Sequence, residues 1–226
     1  MEDFLLKLSI KLVPGLFAIT CHEVSHGFVA WRFGDPTAKM EGRLTLNPLK
    51  HLDIIGTLML FVVGIGWAKP VPVLIENLRN PKRDMVWVSA AGPITNLMIA
   101  ILSALLLRII SSASLGSLEA STTLQLLKPI EYMLAFSIYI NLLLAIFNMI
   151  PIPPLDGGRV MMGLLPYRQS MALGRIEPYG MIIIILLVFF TPVFSYILLP
   201  FLSAGIKLLA GPYSLLVYNV ASFKIF

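Results

Sequence analysis

One cysteine, Cys21, stands among 226 residues, so no disulfide can join two parts of the chain. Charge is also scarce. Asp, Glu, Lys and Arg make up 13% of the residues, about half the share of a soluble domain. There is no internal repeat, no low-complexity linker and no soluble appendage. Met1 to Ile10 carries Glu2 and Asp3 where a cleavable leader would be basic, and no small-residue cleavage site follows. These absences exclude a disulfide-stapled secreted scaffold and argue against a water-soluble fold. What is abundant is apolar surface: 58% of residues are hydrophobic and the mean hydropathy is +0.87. A soluble fold of this size could not bury so much, which makes lipid the expected solvent. The net charge of +5 comes from scattered basic residues without interleaved aromatics, so no nucleic-acid partner is expected. Cys21 reads as a small buried hydrophobe beside His22.

The apolar runs predict an all-α polytopic membrane protein, a single domain over residues 1–226 with four to six membrane segments. Leu5 to Trp31 is long enough to cross a bilayer, with Pro14 expected to kink or break it. Met85 to Ile110, Ile130 to Ile150 and Tyr179 to Leu199 are the other clear spans. The tail from Pro200 to Phe226 reads as a further short helix or one lying in the interface. Between the first two spans, Gly42 to Asn47 alternates weakly, as a short strand would. Ile54 to Ala68 is short and interrupted by glycines, and Lys69-Pro70-Val71-Pro72-Val73 cannot be helical throughout. Ile54 to Val73 is therefore expected to form a re-entrant or short β-like hairpin insertion. Ser111 to Gln125 reads as a polar loop.

Loop charges orient the chain. Arg32, Lys39, Arg43 and Lys50 lie in one loop, Lys69, Arg79, Lys82 and Arg83 in a second, and Arg159, Arg168 and Arg175 in a third. The loop from Ser111 to Leu127 has none. The basic loops, Arg43 and Arg168 among them, are expected in the cytoplasm, with Ser117 and the N-terminus outside.

His22-Glu23-Val24-Ser25-His26 has the form HExxH. Four residues apart on a helix, the two imidazoles share a face about one turn apart and can converge on one zinc ion, with Glu23 beside them to reach a water. Three ionisable residues within five positions of a membrane helix need compensation, which a metal supplies. The competing readings are a polar cluster packed between helices and an ion path. Hydrolytic zinc usually takes a third protein ligand. The candidate is Asp156, after the three prolines of Pro151-Ile152-Pro153-Pro154 and before Gly157-Gly158. Alone, Asp156 would read as a helix cap in a Pro/Gly loop.

HExxH in the first long membrane helix, paired with Asn148-Met149-Ile150-Pro151-Ile152-Pro153-Pro154-Leu155-Asp156-Gly157-Gly158 in a later one, resembles the site-2 protease family of intramembrane zinc metalloproteases. Asn47 to Asp53, Gly66 to Val73 and Ala91 to Asn96 resemble its compact bacterial and archaeal members, which have no PDZ or CBS domain. The likeness runs from about Leu16 to Pro178. It implies one Zn2+ per chain held by His22, His26 and Asp156, with Glu23 catalytic and Asn148 supporting. It also implies a multi-pass protein of the inner (cytoplasmic) cell membrane that hydrolyses peptide bonds in transmembrane segments of other proteins. Its site would face the cytoplasm and its substrate would be an anti-sigma factor or another membrane-tethered regulator.

The residue chemistry agrees. Zinc lowers the pKa of a bound water, and Glu23 takes its proton. Asn148 is a candidate oxyanion donor or substrate holder, or else an interhelical hydrogen-bonding group. Asn96 reads as a packing or substrate-contact residue. His51, two residues before Asp53, reads as a surface or interfacial histidine, with gating of the metal site as the rival. The edge of Gly42 to Asn47, or Lys69 to Val73, offers itself to an unwound substrate strand. A CAAX-type protease would use a later Glu in place of Asp156. A membrane ion or metal transporter would not need Glu23 beside two histidines, and a non-catalytic binding protein would not need both motifs intact.

Overall fold

The computed structural model describes residues 2–63, 66–115 and 121–222. Ser117 lies outside them. The described residues are helical with no strand, apart from one isolated antiparallel bridge between Leu52 and Ala68. Among the described residues, four helical stretches are long and apolar enough to cross a membrane, Leu5–Arg32, Pro81–Ser112, Leu127–Asn148 and Ser195–Ala221, and the pair Tyr167–Gly174 and Glu177–Phe190, bent by 64°, would make a fifth if it counts as one span.

Helix α1 (Glu2–Arg32) runs through Pro14 without a break, as apolar helices with supported backbones can. Short α2 (Thr37–Met40) and a 3-10 turn at Pro48–Lys50 follow, then α3 (Ile54–Val63). The strand expected at Gly42 to Asn47 does not form. Gly42 has a left-handed φ of +63°, and Asn47 caps the 3-10 turn by accepting from the Leu49 amide, so both residues serve turns. Gly66 to Leu74 forms no helix, in keeping with Pro70 and Pro72. Helix α4 (Pro81–Leu115) begins with proline, and Asp84 in its first turn accepts from the Asn80 amide at 2.8 Å. Helix α5 (Ser121–Asn148) begins only a few residues after α4 ends. Most of the loop expected over Ser111 to Gln125 is therefore helix, because Ser and Thr only weakly oppose a helix already under way.

After α5, the proline loop leads into α6 (Asp156–Leu164) and α7 (Tyr167–Gly174). The span expected over Tyr179 to Leu199 is divided into α8 (Glu177–Phe190) and α9 (Val193–Ala210). Thr191 precedes Pro192 and is extended at φ −131°, ψ 148°, the conformation a following proline imposes. The tail from Pro200 continues α9 and then forms α10 (Ser214–Ala221).

Contacts divide the chain into two compact units. One unites Met1–Ala18, Asn96–Ile146 and Phe194–Phe226. Its helices meet through small and polar residues. Asn96 is fully buried and donates to the Ala18 carbonyl (3.2 Å) and to Asn141 Oδ1 (2.8 Å). Ser103 and Ser137 hydroxyls lie 2.8 Å apart. Such bonds tie helices where lipid provides no hydrophobic drive. Arg108 donates to the Leu209 carbonyl at 2.6 Å, satisfying the end of α9.

The other unit unites Ile19–Thr95 and Phe147–Val193. Its core packs Ala30 of α1 against Leu78, Met85 and Val88, with Phe33 and Val73 alongside. Buried Asp35 organises the chain beyond α1. Its carboxylate accepts from the Thr37 amide and hydroxyl, the Leu74 amide (2.8 Å) and Asn77 Nδ2 (3.0 Å). This unit carries the candidate site.

Candidate metal centre

Helix α1 presents His22, Glu23 and His26 on adjacent positions of one turn. Asp156 is the first residue of α6, where the positive end of the helix favours a carboxylate. The loop that delivers it is packed against glycines. A Cβ at Gly157 would collide with the Met149 carbonyl, one at Gly158 with the Pro153 nitrogen, and one at Gly180 of α8 with the Pro153 carbonyl. The double glycine is thus a requirement of close backbone approach. Farther along α6, Arg159 pairs with Glu177 of α8 at 3.0 Å, and Lys82 of α4 donates to the Leu165 carbonyl at 2.6 Å.

These supports bring three donor atoms together. His22 Nε2 and His26 Nε2 lie 3.1 Å apart. Asp156 Oδ2 is 3.1 Å from the first and 3.4 Å from the second. Donors about 2.0–2.1 Å from a tetrahedral zinc would sit roughly 3.3 Å apart, so each edge of this triangle fits one ion. The side chains are only 9%, 12% and 15% exposed. Asp156 Oδ2 is buried and accepts no well-formed hydrogen bond, a costly state for a carboxylate oxygen unless a cation faces it. His26 Nδ1 lies 2.7 Å from the Val88 carbonyl. A carbonyl can only accept, so Nδ1 carries the proton and Nε2 keeps the lone pair that a metal would need.

The fourth wall is a missing side chain. A Cβ at Gly92 of α4 would stand 2.5 Å from His22 Cε1 and from His26 Nε2. Glycine there keeps open the space in front of the imidazoles. Glu23 lies on the same turn, and its Oε2 accepts from the Val71 amide at 2.9 Å.

The remaining sequence candidates fall elsewhere. Asn148 is half-buried at the end of α5, immediately before the proline loop. Asn96 spends its amide on the interhelical bonds described above. His51 is not at the surface: it is 1% exposed, with Nε2 2.9 Å from the Thr45 carbonyl. A polar local sequence does not announce such burial. Among the described residues, the group of side chains placed so that it could hold a metal ion is His22, His26 and Asp156. Sequence reasoning gave Gly92 no site role, and it offered Val71 only as part of the Lys69 to Val73 stretch that could pair with a substrate strand, not as a partner of Glu23. Both lie inside stretches that carry the family resemblance, and for Gly92 that was the only signal.

Comparison with known proteins bears on this geometry. The sequence profile described as "Peptidase family M50" matches residues 12–191. The "Putative zinc metalloprotease YwhC" of Bacillus subtilis is 40% identical over 208 residues, covering 90% of this chain and 92% of that protein. The "Putative zinc metalloprotease Rip2" of Mycolicibacterium smegmatis is 29% identical over 184 residues, 79% of this chain and 66% of that protein. The "Putative zinc metalloprotease MJ0611" of Methanocaldococcus jannaschii is 31% identical over 140 residues, 62% of each. No solved structure matches this chain.

Proposed function

The chain belongs to peptidase family M50, and on that premise we propose that it is a zinc-dependent endopeptidase that cuts transmembrane segments of other membrane proteins. The observation that carries the reading is the triangle of His22 Nε2, His26 Nε2 and Asp156 Oδ2, with edges of 3.1–3.4 Å. The relatives named as zinc metalloproteases support zinc as the ion. Residues 1–226 act as one membrane-embedded protease domain.

Zinc, when bound, lowers the pKa of a water toward neutrality and polarises the scissile carbonyl. Glu23 takes the proton of the attacking water and returns it to the departing amine. Asn148 donates to the oxyanion or holds the substrate strand. His26 is held in the required tautomer by the Val88 carbonyl. Cleavage within the membrane is supported by the position of His22, Glu23 and His26 inside the apolar window Leu5–Arg32. A substrate helix must unwind before its peptide bond can be attacked, because helical carbonyls are already hydrogen-bonded. The bridge between Leu52 and Ala68 brings together the two ends of the segment containing α3, which supports its reading as a re-entrant hairpin. The basic loops support a cytoplasmic-membrane protein whose site faces the cytoplasm. An anti-sigma factor or another membrane-tethered regulator is the substrate proposed from the resemblance.

The test is mass spectrometry of membrane peptides from cells carrying the wild type or Glu23→Gln. A new terminus inside an apolar span, present in the wild type and absent from the variant, is the expected result. Termini confined to water-soluble loops would overturn the intramembrane reading.

A further inference from the structure

We propose that Val71 and Arg43 are positioning residues for Glu23: the Val71 amide holds one carboxylate oxygen, and Arg43 holds that amide in place. This rests on the reading of Glu23 as the base.

The Val71 N–H meets Glu23 Oε2 at 2.9 Å. Its neighbours Pro70 and Pro72 have no N–H and restrict φ. The tripeptide therefore offers one donor, at a position with little backbone freedom. Three further contacts hold it. Arg43 Nη2 donates to the Lys69 carbonyl at 2.8 Å and to the Pro70 carbonyl at 3.3 Å. The Lys69 amide donates to the His51 carbonyl at 2.8 Å. On the side-chain face, Gly27, one turn after Glu23, lets Val71 approach α1: a Cβ at Gly27 would stand 2.8 Å from Val71 Cγ1.

Arg43 is an unusual investment for a mere loop clasp. It is 7% exposed, and its Nε is buried without a hydrogen-bond partner. No carboxylate pairs with it among the described residues. Burying a guanidinium in this way is costly, and the return visible in the structure is a fixed backbone at Lys69 and Pro70. That backbone carries the amide that meets Glu23. With Oε2 occupied, Oε1 is left to serve the water, and the carboxylate cannot rotate freely away from the metal face. Loss of such alignment by about 1 Å can cost around a hundredfold in rate.

The experiment compares Val71→Pro, which removes the N–H while suiting an extended chain, with Val71→Ala, which keeps the N–H and loses methyl groups. The full-length chain in detergent is assayed with a single-span reporter whose apolar segment contains a helix-weakening glycine. Val71→Pro should lower kcat by about 10- to 100-fold relative to Val71→Ala, with KM within about twofold and zinc content unchanged. Equal kcat values for the two would overturn the proposal. If Val71→Pro does not fold, Arg43→Gln should show the same loss of kcat, with Arg43→Lys recovering part of it. Wild-type kcat in Arg43→Gln would overturn it equally. Hydrogen exchange gives a readout without substrate. In Glu23→Ala, the peptide spanning residues 69–74 should gain about one rapidly exchanging amide, and unchanged protection there contradicts the contact. Reporter cleavage that persists in Glu23→Gln would instead show that Glu23 is not the base, a separate failure from loss of the contact.

Discussion

His26 on α1 donates its Nδ1–H to the backbone carbonyl of Val88 on α4 at 2.7 Å. A backbone acceptor cannot be lost by exchange of a side chain, so the tautomer of this imidazole is built into the helix pairing. His22 and Asp156 complete the triangle with spacing suited to one ion. The protein purified in detergent should therefore hold about one zinc per chain. His22→Ala or His26→Ala should weaken binding by at least the roughly 10- to 100-fold that loss of a mere supporting contact causes. Elemental analysis after dialysis against a competing chelator measures this.

Gly92 makes a sharper claim on the same centre. Gly92→Ala adds a methyl 2.5 Å from His26 Nε2, where the metal face must stay open. Zinc content should fall strongly with only a modest drop in Tm. Gly15→Ala, on an open stretch of α1 with nothing within 4 Å of the added carbon, should leave zinc content unchanged. Paired metal analysis and thermal melting of the two variants test this.

Asp35 lies beyond the end of the first span and secures the loops that follow it. Burial raises its carboxyl pKa, but the hydrogen bonds from Thr37, Asn77 and Leu74 lower it by more, so the net position is below the usual carboxylate range. A depressed folded pKa gives stability that is present above the unfolded value of about 3.9 and is lost as pH falls through the folded value. Asp35→Ala should destabilise the protein by about 2–4 kcal/mol at pH 7. The gap between wild type and Asp35→Asn should be fully open at pH 7 and narrow below about pH 4. Thermal melts in detergent across that range measure both.

Much of this was legible because it is local. HExxH and LDGG are short patterns whose helical or turn geometry follows from spacing, and the structure brings His22, His26 and Asp156 together. Three of the four long spans begin and end near the limits of their apolar runs. Where the reading missed, a tertiary or backbone effect intervened. Hydropathy carries Tyr179 to Leu199 across Thr191–Pro192, but the proline divides the helix. His51 looks exposed by its polar neighbours but is buried, with its ring against the Thr45 carbonyl. Gly92 matters for an atom it lacks, and Val71 for an amide that every residue except proline has. Neither contribution leaves a trace in hydropathy or charge.

The orientation is tested by cysteine labelling in intact cells, with Cys21 first replaced. Lys50 and Arg168 are exposed and better labelling positions than buried Arg43. Cysteines at 50 and 168 should react with an impermeant reagent only after lysis, and one at 117 before it. The reverse pattern would invert the topology.

The separation of base from ligand tests the central claim most directly. Glu23→Gln keeps the shape and removes the proposed base, while Asp156→Ala removes a proposed ligand. Zinc content and cleavage of a transmembrane reporter are measured on the same purified samples. Glu23→Gln should retain about one zinc per chain while cleavage falls by orders of magnitude. Asp156→Ala should lose both, and Asp156→Asn, with a weaker oxygen donor, should fall between them in zinc content. Cleavage by Glu23→Gln at near the wild-type rate with zinc still bound would contradict the mechanism.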